Sequence, residues 1–275
     1  MIAVVDYQKG NLLSVQRGLA AVGGQVVVTS DPAEIAAANA IVLPGVGAFA
    51  DAAATMRELG QMNVIRDRVL AGVPFLGICL GMHLMFEHGV EGSPAERAAA
   101  AAAGAADAGY AQGLGLIPGL VAALPREDAQ GRSYKIPHVG WNEVSFAAIP
   151  AAASATCCQI TPPFDNNSLH ATNLAASEQQ PTPSAGTAAA ASVSAASLAK
   201  NALFDGIPEG EYFYFTHSYV SPDSAATIAT TTHSVTFPCA VQLGQRAFGV
   251  QFHPEKSSDA GLALLRNFVT IAQEV

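Results

Sequence analysis

Cys79 is the residue of this sequence best placed to act as a nucleophile. It stands in GICLGMH, at the end of an apolar stretch that predicts a strand and at the start of a helical pattern, between Gly77 and Gly81. Small flanking residues allow a tight strand-to-helix turn that exposes one side chain, the nucleophile elbow. A cysteine in an apolar strand is otherwise more often a small core residue. The glycines, and a helix start whose dipole stabilises a thiolate, favour the nucleophile.

A histidine and a carboxylate near the C-terminus could activate this thiol. In QFHPEKS, Pro254 favours extended backbone at His253, so His253 and Glu255 are expected to project to the same side. A carboxylate beside an imidazole fixes its tautomer and stabilises its protonated form, as a cysteine nucleophile requires. Alone, such a pair is more often a surface pair. Together with Cys79, it predicts a catalytic triad.

The segment LPGVGAF, residues 43–49, predicts a glycine-rich loop after a strand. Its backbone N–H groups, with that of Leu80 just after the nucleophile, could face the negative charge of a tetrahedral intermediate. Phosphate binding is the alternative, but the segment lacks the lysine of a P-loop and the three-glycine dinucleotide pattern. The oxyanion role is therefore the stronger prediction.

The other histidines show no spacing typical of metal ligands. His138 and His217 stand near aromatic residues, whereas His88, His170 and His233 have no partner that the sequence reveals. We therefore expect structural or surface roles for these five side chains, and no metal site.

Alternating apolar stretches and helical patterns organise the N-terminal half. Strands are predicted at 2–6, 25–30, 40–45 and 73–79, with helices over LLSVQRGLAAVG, after Asp31, and over LGMHLMFEHG. Such strands predict an α/β fold whose mostly parallel central sheet carries helices on both faces. From about Gly115 the sequence is richer in strands. The segments concerned are GLIPGLVAAL, NEVSF, EYFYFTHSYV, ATIATT and RAFGVQFHP, and a final helix is predicted over DAGLALLRNFVTIAQ.

Two segments interrupt this pattern. Residues 93–112 are dominated by alanine, and residues 147–201 are rich in Ala, Ser, Thr and Pro with few large apolar side chains. Neither composition can bury a core of its own. We therefore expect one domain over residues 1–275, with these two segments as surface insertions.

Composition and charge exclude several classes of protein. A net charge of -9 without any basic run argues against a nucleic-acid binder. The apolar part of MIAVVDYQKG is too short for a signal peptide, and no run is long and apolar enough to span a bilayer. Four cysteines, two of them adjacent at 157 and 158, do not suggest a disulfide framework. A cytoplasmic protein is expected.

The motifs together resemble the class I glutamine amidotransferases, whose triad motifs are G-x-C-x-G and H-P-E. Within that family, several segments are similar to the glutaminase subunits of imidazole glycerol phosphate synthases. The segments that carry this resemblance are PGVGAF with GICLGM, PHVGWNEV, FYFTHSYV and GVQFHPEKSS. Related glutaminases share the triad but lack the PHVGWNEV and HSYV segments. The resemblance covers nearly the whole chain apart from the two insertions.

The resemblance implies a covalent route without a cofactor. Cys79 attacks the side-chain amide of glutamine, His253 protonates the departing ammonia, and water releases glutamate from the thioester. The resemblance implies oxyanion N–H groups from Val46 and Leu80. Glutamine would be held by Gly45, Gly47, His83 and the backbone around His217 and Ser218.

The resemblance also implies a heterodimer with a separate (β/α)8-barrel cyclase subunit. Ammonia would pass to that subunit, which makes imidazole glycerol phosphate and aminoimidazole carboxamide ribotide in histidine biosynthesis. The docking face would include Asn11, Trp141 and Lys256.

His83 departs from the family's pattern, which usually has glutamine four residues after the nucleophile. Because the neutral imidazole also offers one donor and one acceptor, we expect glutamine binding to survive with an added pH dependence near neutrality. Packing of His83 against apolar neighbours is the alternative. Two other functions stay open: the glutaminase of another biosynthetic amidotransferase, and a catalytically silent regulatory homologue.

Overall fold

An eight-stranded mixed sheet forms the centre of the protein, whose computed structural model describes residues 1–91, 110–146 and 201–274. The strands are β1 (Ile2–Val5), β2 (Val26–Thr29), β3 (Ala40–Gly45), β4 (Phe75–Cys79), β5 (Phe86–Gly89), β6 (Ala111–Gln112), β7 (Ile117–Ala123), β8 (His138–Glu143), β9 (Ser145–Phe146), β10 (Tyr212–His217), β11 (Tyr219–Val220), β12 (Thr227–Thr232), β13 (Thr236–Leu243) and β14 (Ala247–Val250). The central sheet has the order β2-β1-β3-β4-β14-β13-β12-β9.

The first five strands of that order are parallel, and the last three extend the sheet by antiparallel pairing. Their side chains alternate between two cores. Val4 and Val42 pack on one face, whereas Val5 and Leu43 pack on the other. Both faces are thus buried, which confirms the predicted α/β fold with its mostly parallel sheet.

Helices cover both faces of the sheet. Buried residues of α1 and α6 belong to the core on one face, and those of α2, α3 and α4 belong to the core on the other. Helix α2 begins as the sequence predicts, because the side chain of Asp31 accepts a hydrogen bond from the Ala33 N–H at 2.8 Å. The helices are α1 (Leu12–Ala21), α2 (Pro32–Ala37), α3 (Phe49–Glu58), α4 (Gln61–Leu70), α5 (Leu80–His83) and α6 (Ser258–Gln273), with short 3₁₀ helices at Ala202–Phe204 and Pro254–Lys256.

Two smaller β-structures lie beside the central sheet. Strands β8 and β10 form an antiparallel ribbon in which His138 and His217 are directly opposite each other. Strands β11, β7, β5 and β6 form a four-stranded sheet. The strand-rich second half agrees with the sequence prediction, whereas the pairing of β8 with β10 was not predicted.

The predicted helix over residues 80–89 is wrong beyond its first turn. Helix α5 ends at His83, and residues 86–89 form strand β5. The carbonyl of Leu84 accepts from the N–H of Leu114, and the carbonyl of Met85 accepts from the N–H of Leu116. Pairing with a distant segment therefore replaces the local helical hydrogen bonds.

The two predicted insertions lie almost wholly outside the described residues. Of the first, only residues 110–112 are described, and Ala111 and Gln112 form β6. Of the second, only Asn201 is described, where its side chain caps the 3₁₀ helix at Ala202–Phe204. Within the described ranges, no helix is long and apolar enough to cross a membrane.

Candidate active site

Cys79 occupies a strained turn between β4 and α5. Its φ of 53° and ψ of -105° lie in a region that residues with a side chain rarely adopt. Holding such a conformation costs on the order of 1 to 3 kcal/mol, which the surrounding structure must supply. The thiol side chain is 6% exposed and faces a cleft. The structure thus shows the elbow geometry that the sequence predicts.

The glycines beside Cys79 are required by close backbone approach. A Cβ atom at Gly81 would lie 1.8 Å from the Leu43 carbonyl oxygen, and one at Gly77 would lie 2.6 Å from the Gly81 carbonyl oxygen. No side chain fits at either distance. Gly81 lets the first turn of α5 pack directly against β3, and Gly77 lets the same turn pack against β4.

His253 and Glu255 form a buried ion pair. The His253 Nδ1 atom lies 2.9 Å from Glu255 Oε1, and the two side chains are 2% and 1% exposed. His253 is extended as predicted, whereas Glu255 lies in the 3₁₀ helix at Pro254–Lys256. The turn brings the carboxylate back to the imidazole, so the pairing arises from a bend and not from a continuous strand.

The other ring nitrogen of His253 faces the nucleophile. Burial alone would lower the pKa of His253, but Cys79 and Glu255 outweigh it and raise the pKa to about 9. The Nε2 atom has no partner in hydrogen-bond geometry among the described residues. Cys79 therefore lies near enough to favour the imidazolium without a fully formed hydrogen bond, as is common in active sites before substrate binds.

Strand β10 holds the His253 backbone in place. The His253 N–H donates to the Tyr214 carbonyl at 2.9 Å. The hydroxyl of Ser257 donates to the His253 carbonyl at 2.7 Å and accepts from the Tyr214 N–H at 3.0 Å. Because Ser257 is fully buried, these bonds fix the triad segment against the ribbon.

A cleft of about 400 Å³ opens at Cys79. The end of β4 and the loop after β3 meet there, because parallel strands present their carboxyl ends at one edge. The end of β10, from the antiparallel ribbon, also borders the cleft. Gly45 does not line it; it is the register partner of Cys79, at the end of β3. Six residues named from the sequence line the cleft with Cys79, namely Val46, Gly47, Leu80, His83, His217 and Ser218.

Glu91 is a cleft residue that the sequence reasoning missed. Its Oε2 atom accepts a hydrogen bond from the Phe49 N–H at 3.0 Å, at the start of α3. Burial raises the pKa of Glu91, the Phe49 N–H opposes this, and Asp51 adds to it. A single acidic residue after a short strand carries no motif, so only the fold could reveal that it reaches the cleft.

His83 lies in the cleft but does not titrate near neutrality. Its Nε2 atom is 2.6 Å from Gln251 Oε1, and the side chain is 5% exposed. Burial lowers the pKa of His83 to about 4, although the hydrogen bond with Gln251 acts in the opposite direction. The predicted pH dependence near neutrality is therefore wrong, because this ring stays neutral there.

These features match a known family. Its description is "Glutamine amidotransferase class-I", and its profile matches residues 3–272. The chain belongs to the class-I glutamine amidotransferase family.

Among class-I glutamine amidotransferases, the chain groups with the HisH subunits. It is 38% identical over 269 residues to the imidazole glycerol phosphate synthase subunit HisH of Moorella thermoacetica, covering 97% of this chain and 93% of that relative. The identity to the HisH subunit of Syntrophotalea carbinolica is 34% over 270 residues, covering 98% of each chain. A crystal structure of a glutamine amidotransferase gives a TM-score of 0.57 at 13% identity, covering 99% of this chain and 100% of that chain. The last likeness shows the fold alone.

Three histidines of this amidotransferase form a cluster beside the cleft. His217 Nδ1–H donates to the Tyr219 carbonyl at 2.9 Å, so its Nε2 accepts from His138 Nδ1 at 3.0 Å. The His138 ring stacks on His233 with centroids 4.2 Å apart. Burial is the main cause that lowers the pKa of His217 to about 3 and of His138 to about 4. His138 and His217 are therefore neutral at neutral pH, and the described residues contain no group of side chains arranged to hold a metal ion.

Two of the three predicted docking residues, Trp141 and Lys256, contact the same tyrosine, Tyr214. Trp141 is 50% exposed, and its ring meets that of Tyr214 edge-on with centroids 6.0 Å apart. Lys256 Nζ lies 5.9 Å from the centroid of the same Tyr214 ring. Asn11 precedes α1 and follows Gly10, where a Cβ atom would lie 3.8 Å from Gly45 Cα. Trp141 and Lys256 are therefore joined through Tyr214, and Asn11 directly follows a glycine that lies beside the end of β3.

Proposed function

We propose that this chain is the glutaminase subunit of an imidazole glycerol phosphate synthase. It hydrolyses glutamine to glutamate and ammonia, and a separate cyclase subunit uses the ammonia in histidine biosynthesis. One observation carries the catalytic assignment: a strained, buried cysteine borders an open cleft and lies beside a buried His253–Glu255 pair. The identity to HisH subunits carries the choice of pathway.

The reaction begins with attack of the Cys79 thiolate on the carboxamide carbon of glutamine. The C–N bond then breaks, and His253 gives its proton to the leaving nitrogen, so that ammonia departs and a thioester remains. A pKa of about 9 keeps His253 protonated at neutral pH, ready for this transfer. Neutral His253 next takes a proton from water, whose oxygen attacks the thioester and releases glutamate. The C–S bond breaks, so that Cys79 leaves as the thiolate, and the proton taken from water leaves His253 as the imidazolium. Both groups are then in their starting state, and the carboxyl proton of the product passes to solvent.

The loop after β3 and the start of α5 are the proposed oxyanion site. Val46 and Gly47 line the cleft with Leu80, and Gly47 has a φ of 103° that only glycine adopts readily. In this proposal, N–H groups of Val46 and Leu80 donate to the oxygen of the tetrahedral intermediate. Such donors typically contribute about 3 kcal/mol each to transition-state stability.

The backbone of glutamine is the proposed occupant of the rest of the cleft. Its ammonium group carries a positive charge, and the Glu91 carboxylate lines the cleft. The α-carboxylate of glutamine would accept hydrogen bonds from N–H groups of the loop at Gly47 and of Ser218. Gly45, His83 and the backbone at His217 stay in the proposed substrate-binding set.

The partner is proposed to be a (β/α)8-barrel cyclase, bound in a heterodimer. Large side chains stand exposed on the β8–β10 ribbon, where Val139 is 56%, Trp141 is 50% and Tyr212 is 51% exposed. Exposed aromatic groups in one place are typical of protein interfaces. Asn11, Trp141 and Lys256 are the proposed contacts, and the cytoplasm is the proposed location.

Replacement of Cys79 by Ala tests the assignment. Glutamate release in the presence of the cyclase should fall to background, because no other group would form the thioester. Formation of imidazole glycerol phosphate from added ammonium salt should continue, since the cyclase is untouched. Both rates are measured on the same heterodimer preparation. Glutamine-dependent turnover in the Cys79→Ala protein would show that Cys79 is not the nucleophile. If the parent protein released no glutamate with any cyclase preparation, the proposed pathway would be wrong.

A further inference from the structure

A buried chain of hydrogen bonds that does not include the His253–Glu255 pair reaches Cys79. His83 Nε2 lies 2.6 Å from Gln251 Oε1, and Gln251 Nε2 lies 3.7 Å from Cys79 Sγ. Gln251 is fully buried, which is costly for an amide unless its polar atoms are paired. The proposed triad does not use this side chain.

The central sheet brings these residues together. Strands β4 and β14 are parallel neighbours in which Val250 is the register partner of Ile78. Gln251 comes directly after Val250, and Cys79 comes directly after Ile78, so the two residues lie at the same edge of the sheet. His83, one helical turn after Cys79, lies on the same side of α5.

The direction of the hydrogen bonds follows from the chemistry of the three groups. An amide oxygen only accepts, so His83 Nε2 must carry the hydrogen that joins it to Gln251 Oε1. The Gln251 NH₂ group is then left to donate to the sulfur. With the amide reversed, its oxygen would face Cys79 and would repel a thiolate. The hydrogen bond to Gln251 Oε1 therefore assigns the neutral His83 ring the tautomer that carries its hydrogen on Nε2.

We propose that Gln251 is a positioning residue for the nucleophile, and that His83 orients it. The Gln251 N–H donates to Cys79 Sγ, stabilises the thiolate and holds it towards His253. This inference rests on the proposed role of Cys79. The same inference gives His83 a function: its ring supplies the N–H donor that fixes the orientation of the Gln251 amide.

The two protonation states of Cys79 have different partners. The thiol S–H donates to the Thr216 carbonyl, with the two heavy atoms 3.9 Å apart. A thiolate cannot donate, so it is left with the Gln251 N–H and the His253 imidazolium. Removal of the Gln251 donor should therefore destabilise the thiolate more than the thiol. Charged or titratable side chains that face Cys79 from the surrounding elements are Tyr7, His83, Glu91, His217, His253 and, behind His253, Glu255.

The test is the alkylation rate of Cys79 by iodoacetamide as a function of pH, in the full chain bound to the cyclase. The rate is followed by mass spectrometry on the peptide that contains Cys79, so the other cysteines do not interfere. Gln251→Met keeps the side-chain volume and removes the donor. We expect the pH of half-maximal alkylation to rise by about one unit, as the loss of one hydrogen bond to a charged group predicts. Glutaminase kcat should fall about tenfold.

Two variants of His83 separate orientation from packing. His83→Leu removes the donor to Gln251 and should shift the alkylation profile in the same direction as Gln251→Met. His83→Gln restores an N–H donor and should return the profile to that of the parent. Because alkylation needs no glutamine, a residue that only contacts substrate would not move it. Gln242→Met removes a hydrogen-bonded amide outside the cleft and serves as the control.

The outcomes distinguish this inference from the proposed function. Unchanged alkylation profiles in Gln251→Met and His83→Leu would overturn the positioning role while Cys79→Ala still abolished turnover. If Gln251→Met failed to fold, as judged by its melting curve, equal profiles for His83→Leu and His83→Gln would overturn it instead. If Cys79→Ala retained turnover, the proposed function would fail first, whatever the alkylation profiles showed.

Discussion

The imidazole of His253 lies between two groups that favour its proton. Glu255 binds Nδ1 at 2.9 Å, and Cys79 faces Nε2. The pair does not need substrate to hold this charge, because Glu255 and Cys79 already favour the imidazolium in the protein and outweigh the effect of burial. Proton transfer to the leaving ammonia can then occur without rearrangement of the base, which is the advantage of a site organised before substrate binds.

This arrangement predicts a pH-dependent contribution to stability. The pKa of His253 is about 9 when folded and about 6.5 when unfolded, so the folded state holds the proton more tightly. The contribution is therefore fully present below pH 6.5 and is lost as the pH rises towards 9. It amounts to about 3 kcal/mol at most. The free energy of unfolding in urea, compared between the parent and His253→Asn, should show a difference that shrinks over this range.

His88→Asn is the control for the stability measurement. His88 lies on β5, outside the cleft, so its replacement should change stability by an amount that does not follow the same pH profile. A constant difference between the parent and His253→Asn across the range would show that Cys79 and Glu255 do not hold the proton in the folded state.

At the scale of elements, the elbow depends on how closely α5 approaches β3. Gly81→Ala would place a Cβ atom 1.8 Å from the Leu43 carbonyl oxygen, where backbone must move. We expect the free energy of unfolding to fall by about 3 kcal/mol or more, or the protein not to fold, because a closely packed sheet cannot move far enough to relieve the clash. Melting curves measure the loss.

Gly72→Ala is the matched control for this steric clash. Gly72 has a φ of +86°, and no atom of the described residues lies within 4 Å of an added Cβ, so it tests backbone strain without a clash. A cost of about 1 kcal/mol is expected there. Equal melting temperatures for the two alanine variants would contradict the claim that backbone contact at β3 requires glycine at position 81.

The elements that the sequence predicted well are those whose hydrophobic pattern is decided locally. The first four strands and the last helix are examples, since their apolar residues repeat with the period of the structure they form. Helices α3 and α4 were not predicted. Met56 and Met62 pack from them onto the sheet, but alanines and charged residues weaken the pattern. Strand β13 was also missed, and it depends on long-range pairing with β12 and β14.

The residues of the candidate site also divide into those that a local sequence motif predicts and those that only the fold brings together. Cys79, His253 and Glu255 could be proposed from the sequence because each stands in a short motif that shapes its own backbone. Glu91 and Gln251 could not, because no local pattern marks them. Glu91 reaches the cleft through its hydrogen bond at the start of α3, and Gln251 reaches Cys79 through the register of β14 with β4. The pairing of His138 with His217 likewise depends on the register of the β8–β10 ribbon.

At the scale of the whole molecule, residues 147–200 leave and rejoin the described part at neighbouring points. The ring of Phe146, at the end of β9, lies 4.7 Å from that of Phe204, centroid to centroid. The N–H of Phe146 also donates to the Glu209 carboxylate at 3.0 Å. The two ends of the segment are thus fixed next to each other by contacts that do not involve the segment itself. We infer that a short connection can replace it.

Replacement of residues 150–199 by a glycine- and serine-rich linker of about twelve residues tests this inference. Loop-closure free energy changes by only about 0.6 kcal/mol per doubling of loop length, so the shortening is worth about 1 kcal/mol. We expect the melting temperature to change by a few degrees at most and cyclase-dependent glutaminase activity to persist. A variant with the same fifty positions in scrambled order separates length from sequence. If shortening and scrambling both lowered the melting temperature strongly, or both abolished binding to the cyclase, the segment would have a specific packing or docking role that its composition does not predict.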